Sequence, residues 1–452
     1  MESVNVYRER GEMGRTLTEA DIRADTEKKA DGSGKAPGLR AGAAKIVTTP
    51  SEPVPLAGFY ERQGVFTGVH DDLYARAVVF ESQGIMTAVI AVDICMFSDF
   101  FWEDVSGRIE DRLSIPKTNI LLNATHTHGG PALYDPPDAG FIDAAFMAEN
   151  PYEDREKRYT EELKKKLVQV VAEAHGRLEA ASIGFGRGSL SIGVNRRAVR
   201  KQGDVWLGVN PDGPVDREVI VVRVDALDGG TIALLFNHGV HGVSMMSTEL
   251  TGDWCGIAAQ NVEKAFGGGI VAPFLSGAAG DVNTIHLQKT EFDDPSGGAE
   301  ILAAAASEEV IRVGKDITGD SAGPVLAAQR SVALPGKRYM GLLGYDPRFD
   351  ALKDDTSPVP DTQLRMSLLT VDSVAFAGVS GEIFSEIGME FKKKSPFGRS
   401  LFIGNTNGYA SYVMSDREIE RGGYEYNASV VQHGGQEAIV GTLVEMANDL
   451  RA

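Results

Sequence analysis

The strongest constraint on the fold is a set of near-continuous apolar runs that stop abruptly in polar turns. Residues 86–97 form one, broken chiefly by Asp93, and Ile120-Leu121-Leu122 forms another. Others end at Phe236, Val379 and Ile403. A strand that is apolar on both alternations has to be covered on both faces, so these segments demand layers above and below them. Residues 159–178 supply an amphipathic helix: Leu163, Leu167, Val170, Val171 and Ala174 recur at three and four, with Lys164, Lys165 and Glu173 outside. Helices are also predicted over 254–266, 299–313, 384–394 and 436–450, with Asp253 as the N-cap candidate of the first and a loop at 293–298. Hairpins are predicted for 218–225 with 231–236, around Asp228-Gly229-Gly230, and for 364–379, turning at Asp372-Ser373. Single strands are predicted at 41–49, 270–275 and 401–403. Strands alternate with helices without a compositional break after Leu39, which argues for one α/β domain.

Residues 1–38 differ. They are polar and charged, contain Asp31-Gly32-Ser33-Gly34, and read as a disordered or peripheral arm ahead of a domain at 39–452. They contain no apolar leader segment, and no run anywhere is long enough to span a membrane, so a cytoplasmic protein without stable membrane insertion is expected. The formal charge of -19 disfavours nucleic acid as a partner. A small-molecule substrate is the expected partner, and a homo-oligomer is compatible with the chain. Cys95 and Cys255 lie among apolar neighbours and read as buried free thiols.

Four of the apolar runs lead into residues that can bind a metal. The first enters Asn123-Ala124-Thr125-His126-Thr127-His128-Gly129-Gly130-Pro131, where two histidines two apart would point the same way if the segment stayed extended. The second enters Asn237-His238-Gly239-Val240-His241, the third Ser380-Gly381-Glu382, and the fourth the segment 404–412 with Tyr409 and Tyr412. Sites in α/β sheets gather where loops leave the carboxyl ends of strands. Two imidazoles and a carboxylate are a zinc set that leaves a coordination position for water. Taken singly, each of these residues reads more readily as a polar cap on a buried strand than as a ligand, so the weight lies in their number. Asp93 reads as structural or as lining the site, Asp281 as ordering its own turn, and the Met245-Met246 pair as core. His70 and His286 are within reach of a cleft, and His175 and His433 read as surface residues.

The motif Asn-Ala-Thr-His-Thr-His with its Gly-Pro turn resembles the signature of the neutral/alkaline non-lysosomal ceramidases. Further landmarks agree in order: residues 39–45, residues 72–77, Asn195-Arg196-Arg197, Gly280-Asp281-Val282-Asn283, Gly381-Glu382 and Tyr424-Glu425. The resemblance implies stacked mixed β-sheets flanked by helices in a single catalytic domain. It implies one Zn²⁺ per subunit on His126, His241, Glu382 and Tyr412, with Tyr409 as the alternative phenol and His238 as the competitor of His241. It places His128, Tyr424, Arg196 and Asn283 at the reacting centre, where a metal-activated water would attack an amide or ester carbonyl as in an N-acyl amidase. Two departures stand out: Asn283 occupies the place of the family's serine, and Gly129 replaces the serine after the second histidine. The family's lipid-active members are also typically secreted or membrane-exposed and carry a further β-sandwich domain. These differences shift the expected substrate from membrane ceramide toward other N-acyl amides. They also leave two other readings: a zinc enzyme acting on a carbohydrate-type substrate by glycoside cleavage or elimination, and a non-catalytic zinc-containing binding protein.

Overall fold

The computed structural model describes residues 38–59, 62–134, 151–201, 203–285, 295–339 and 357–451. The proposed N-terminal arm and His286 lie outside them. The strands are β1 (Arg40–Val47), β2 (Gly68–Val69), β3 (Tyr74–Ser82), β4 (Ile85–Val92), β5 (Ile120–Ala124), β6 (Glu179–Ser189), β7 (Gly193–Val199), β8 (Val205–Asn210), β9 (Glu218–Ala226) and β10 (Thr231–His238). There follow β11 (Glu249–Leu250), β12 (Phe274–Ser276), β13 (Val282–Thr284), β14 (Val325–Leu334), β15 (Thr362–Val371), β16 (Val374–Val379), β17 (Glu382–Ile383), β18 (Arg399–Ile403) and β19 (Tyr412–Val413). The helices are α1 (Asp99–Leu113), α2 (Glu153–His175), α3 (Asp253–Ala265), α4 (Pro295–Asp316), α5 (Ser385–Lys394), α6 (Asp416–Glu420), α7 (Tyr424–Ala428) and α8 (Gly435–Arg451).

Strand alternation explains the layers. An eight-stranded sheet runs β12-β10-β9-β6-β1-β3-β4-β5, and a four-stranded sheet runs β14-β15-β16-β18. Val78, Phe80, Val89, Ala91, Ile220 and Val222 of the large sheet face Leu369, Val371, Val374 and Phe376 of the small one. Phe80 and Phe376 meet across that layer, ring centroids 6.5 Å apart. The intervening residues point outward. Ala77, Val79, Ile90 and Val92 pack under α1 and α2, and Val219, Val221, Leu234 and Phe236 under α3 and α4. On the far side Leu364, Met366, Leu368, Ala375 and Ala377 pack under α5 and α8. The result is helix, sheet, sheet, helix, with both sheets covered on both faces as their apolar runs require.

The parallel pairs locate the functional end. In the two large sheets they are β4 with β5, β10 with β12, and β16 with β18. Three buried asparagines tie these strands together. Asn123 on β5 accepts from Ser276 N at 3.0 Å and donates to Gly404 O at 2.8 Å, so the two edge strands of the large sheet meet there. Asn237 donates to Leu275 O and Phe402 O. The Asn407 amide accepts from Leu122 N at 2.7 Å and donates to Ile120 O at 2.8 Å, replacing the peptide of a missing neighbour strand.

Some expectations are corrected. The helix α1 was not foreseen, because serine and acidic residues dilute its apolar face of Phe101, Trp102, Val105 and Ile109; Ser98 caps it by accepting from Phe101 N. The loop expected at 293–298 is helical from Pro295, where proline's missing N–H costs nothing in a first turn. The strand at 270–275 narrows to β12. Asp253 is not the N-cap of α3; Gly252 is, and the Asp253 carboxylate instead takes the Ser244 hydroxyl and the Met245 amide. Met245 is buried, but Met246 is 54% exposed and does not belong to the core. Among the described residues no helix is long and apolar enough to cross a membrane.

Asp93 has a structural role. Buried Arg76 on β3 donates to Asp93 at 3.1 Å and to Glu263 of α3 at 2.9 Å, and Lys45 pairs with Glu263 at 2.6 Å. Removing the central cation leaves buried Asp93 without a cationic partner and Glu263 with Lys45 alone. Arg76→Met is expected to cost about 3–5 kcal/mol, measured as a lower urea midpoint at unchanged m-value.

Candidate metal centre

Each ligand candidate arrives from the carboxyl end of a different strand. After Ala124 the chain leaves β5, and His126 takes a left-handed backbone (φ 63°), its amide held by Ile94 O at 3.0 Å. That turn breaks the extended geometry in which His126 and His128 would be parallel: their rings lie 4.9 Å apart and nearly perpendicular. Non-glycine residues held in this region cost of order 1–3 kcal/mol and concentrate at functional sites; Asn405, Asn407 and Ser411 are left-handed in the same corner. His241 follows β10, Glu382 follows β16, and Tyr412 lies beside Glu382 because β17 and β19 pair in parallel register.

The geometry brings His126, His241 and Glu382 together. One carboxylate oxygen of Glu382 is 3.3 Å from His126 Nε2 and 3.0 Å from His241 Nε2. The three residues are 1%, 1% and 4% exposed. Backbone carbonyls set the tautomers: His126 Nδ1 donates to Cys95 O at 2.7 Å and His241 Nδ1 to Val282 O at 3.1 Å. In the neutral ring each Nε2 then presents a lone pair toward the carboxylate, the arrangement seen when imidazoles ligate a metal and backbone groups orient them. His126 Nε2 makes no hydrogen bond. Protons are left to supply the missing positive charge. Burial opposes a charge on His126, but Glu382 outweighs it and holds the imidazole well above its ordinary range. Burial likewise opposes charge on Glu382, and His126 outweighs it, keeping the carboxyl well below the usual carboxylate range. His241 is pulled down to about 4 by burial and by Arg196. This donor set fits a divalent cation.

The remaining predicted residues surround it. The Tyr409 hydroxyl donates to the other oxygen of Glu382, so Tyr409 orients that carboxylate. Tyr412 and Tyr424 lie ring to ring at 5.9 Å, and the Arg196 guanidinium covers both, 5.3 and 5.4 Å from their centroids. Arg196 Nη1 donates to Asn283 Oδ1 at 3.1 Å and lies 3.3 Å from His241 Nε2, while its buried Nη2 has no partner. Glu425 bridges Arg196 at 2.8 Å and Arg197 at 2.5 Å. His128 is half-buried, and neither of its ring nitrogens has a partner.

Other candidates fall elsewhere. His238 turns away to Glu218 O and the edge of Trp254. Asp281 does more than order its own turn: it accepts from Ser385 and Asn195, joining α5 to β7. His70 faces Glu300 at 3.8 Å, His433 is exposed and His175 half-buried. The absence of a side chain at Gly129 has a local cause, since a Cβ there would collide with Thr251. Sequence reasoning missed Tyr409 as the partner of Glu382. It also missed Cys95, whose thiol is 3.8 Å from His126 Nδ1 and whose carbonyl fixes that ring.

The ligand assignment has a direct check. Isothermal titration of metal-stripped protein with Zn²⁺ is expected to show a single tight equivalent. Glu382→Gln and His241→Ala each weaken it by at least about 10–100-fold, and His238→Ala leaves it unchanged. Circular dichroism should stay that of the wild type.

Comparison with known proteins agrees with this architecture. A family profile described as neutral/alkaline non-lysosomal ceramidase, N-terminal, matches residues 40–291, more than half of the chain. Neutral ceramidase B of Dictyostelium discoideum is 27% identical over 264 residues, which cover 52% of this chain and 34% of the relative. Neutral ceramidase of Mycobacterium tuberculosis is 26% identical over 227 residues, 46% of this chain and 33% of the relative. The matched part thus spans about a third of the length of these relatives. The crystal structure of neutral ceramidase from Pseudomonas aeruginosa superposes with a TM-score of 0.72 at 19% identity, covering 92% of this chain and 75% of that one. Its fold is the one described here, stacked mixed sheets between helices. The chain belongs to the neutral/alkaline non-lysosomal ceramidase family.

Proposed function

We propose that the protein is a metal-dependent hydrolase of amide bonds, with zinc as its ion and an N-acyl amide as its substrate class. The observation that carries this reading is the convergence of two imidazole nitrogens and a carboxylate oxygen beside a third imidazole, His128, that has nothing bound to it. The relatives named neutral ceramidases support the bond class. His126, His241 and Glu382 would hold the ion, with Tyr412 as the fourth ligand. A divalent cation there supplies Lewis-acid polarisation of an acyl carbonyl and lowers the pKa of a water.

The protein's own groups handle the rest of the reaction. Burial, then the neighbouring His126 and His241, hold His128 well below its ordinary basicity, so it rests neutral, with both ring nitrogens free of partners. It takes a proton from the attacking water and returns it to the departing amine. Burial pushes the Tyr424 phenol up to about 12, so it keeps its proton and donates to the carbonyl oxygen as negative charge develops. Arg196 Nη2, buried without an acceptor, receives an oxygen of the substrate. Asn283 is no nucleophile. Its oxygen is committed to Arg196, which leaves its amide NH₂ as a donor.

That Arg196–Asn283 pair favours a second reading in which the same centre acts on a hydroxylated, sugar-type substrate. The free nitrogens of His128 weigh against a purely structural ion, since closed structural sites have no need of a neighbouring base.

Short-chain N-acyl amides, esters and sugar derivatives should be screened with and without restored Zn²⁺. Amine release that stops on chelation and returns with metal is the expected result. Turnover confined to the sugar derivatives would remove the amidase reading. Tyr424→Phe is expected to lower kcat by about 10²–10³-fold at unchanged metal content, whereas loss of metal would make Tyr424 the ligand in place of Tyr412.

A further inference from the structure

The way His128 is held points to a residue outside every motif considered so far. With no hydrogen bond to either ring nitrogen, the orientation of this imidazole depends on packing alone. On one side are the rings of His126 and His241, with centroids 4.9 and 5.7 Å away. On the other is the 57–59 segment. Gly58 is left-handed (φ 99°), and a Cβ there would stand 2.5 Å from His128 Cγ. Phe59 meets the imidazole edge to face at 5.1 Å.

That segment is fastened by Arg62. Its Nη2 donates to both Ala57 O and His128 O, and its Nη1 to Ser247 O at 3.2 Å. Its guanidinium plane lies over the Phe59 ring, 4.7 Å from the centroid. One cation thus joins the 57–59 segment, the histidine turn and the loop that follows His241. Among the described residues no carboxylate pairs with Arg62, and its buried Nε has no partner. A half-buried charge without a counter-ion is costly, and three carbonyls with an aromatic face are what offset it here. Backbone bonds carry the segment to this place: Ala57 N donates to Gly130 O at 2.9 Å and Ala132 N to Pro55 O at 2.8 Å.

We propose that Arg62 is a positioning residue: it clamps Gly58 and Phe59 against His128 and so fixes the imidazole for proton transfer. The kinetic part of this inference rests on the hydrolase reading; the structural part does not. In metal-loaded protein, carbethoxylation by diethyl pyrocarbonate followed by peptide mass spectrometry measures how accessible His128 is, with exposed His433 as the internal reference. Arg62→Met is expected to raise labelling of His128 several-fold relative to His433 while zinc stoichiometry stays the same. It should lower kcat by about 10²-fold, the size of effect that a misplacement of about 1 Å produces, with KM changed by less than about threefold. Arg62→Lys keeps donors for the carbonyls and should recover a substantial part of kcat. Should Arg62→Met not fold, Phe59→Leu removes the stacked ring while sparing the carbonyl contacts, and is expected to increase labelling in the same sense. Unchanged labelling and kcat in Arg62→Met would overturn the proposal, as would parallel loss of zinc and thermal stability in all three variants. If the wild type hydrolyses no amide, the hydrolase reading falls, and the labelling result alone decides the clamp.

Discussion

Two imidazole lone pairs and a carboxylate oxygen cannot share a dry pocket unless positive charge stands among them. His126, His241 and Glu382 are in that position, and the surrounding structure is arranged around their requirement. The carbonyls of Cys95 and Val282 pin the outer nitrogens, so rotation of the rings cannot relieve the conflict. Tyr409 takes the far oxygen of Glu382, so the carboxylate cannot turn either. Arg196 approaches from the fourth side, but it is shared with Glu425 and Asn283. Without an ion, protons carry the balance; a divalent cation would neutralise the same oxygen while leaving both rings their lone pairs.

Placing this constraint at one end of two sheets has a cost that is visible in the backbone. Four non-glycine residues are left-handed around the site, and buried asparagines replace backbone partners where strands run out. The apolar sandwich, covered on both faces, supplies the stability against which such strain can be held.

Much of this was legible in the residue order. Strands buried on both faces announce themselves by composition, and the candidate donors stand where those runs end, so the gathering of His126, His241 and Glu382 was legible from the order of the residues. His238 could be set aside because the residues after His241 follow the family pattern, and the structure gives the physical reason: it points at Glu218 O. What could not be read depends on packing between distant segments. Nothing local marks Tyr409 rather than Tyr412 as the partner of Glu382 Oε1, since a left-handed Ser411 lies between the tyrosines and alters which way each one faces. Nor does any local signal mark Arg62, whose acceptors lie at Ala57, His128 and Ser247. Helix α1 escaped because its buried face is narrow and its exposed face strongly acidic. Asp253 looked like a cap because its position suits one, but its left-handed backbone aims the carboxylate at the 244–245 loop.

The Asn407 side chain carries a consequence of another kind. It occupies the free edge of β5 with the donor and acceptor of a peptide, and the same short loop delivers Tyr409 and Tyr412. An open edge is where a foreign strand can add and where aggregation starts. Here the segment that seals the edge also brings Tyr409 onto Glu382, the last in chain order of the three clustered residues His126, His241 and Glu382. A chain that has not yet joined its two sheets therefore has an exposed edge and no gathered acceptors. Closure of that edge and the setting of the Glu382 carboxylate thus depend on the same short loop.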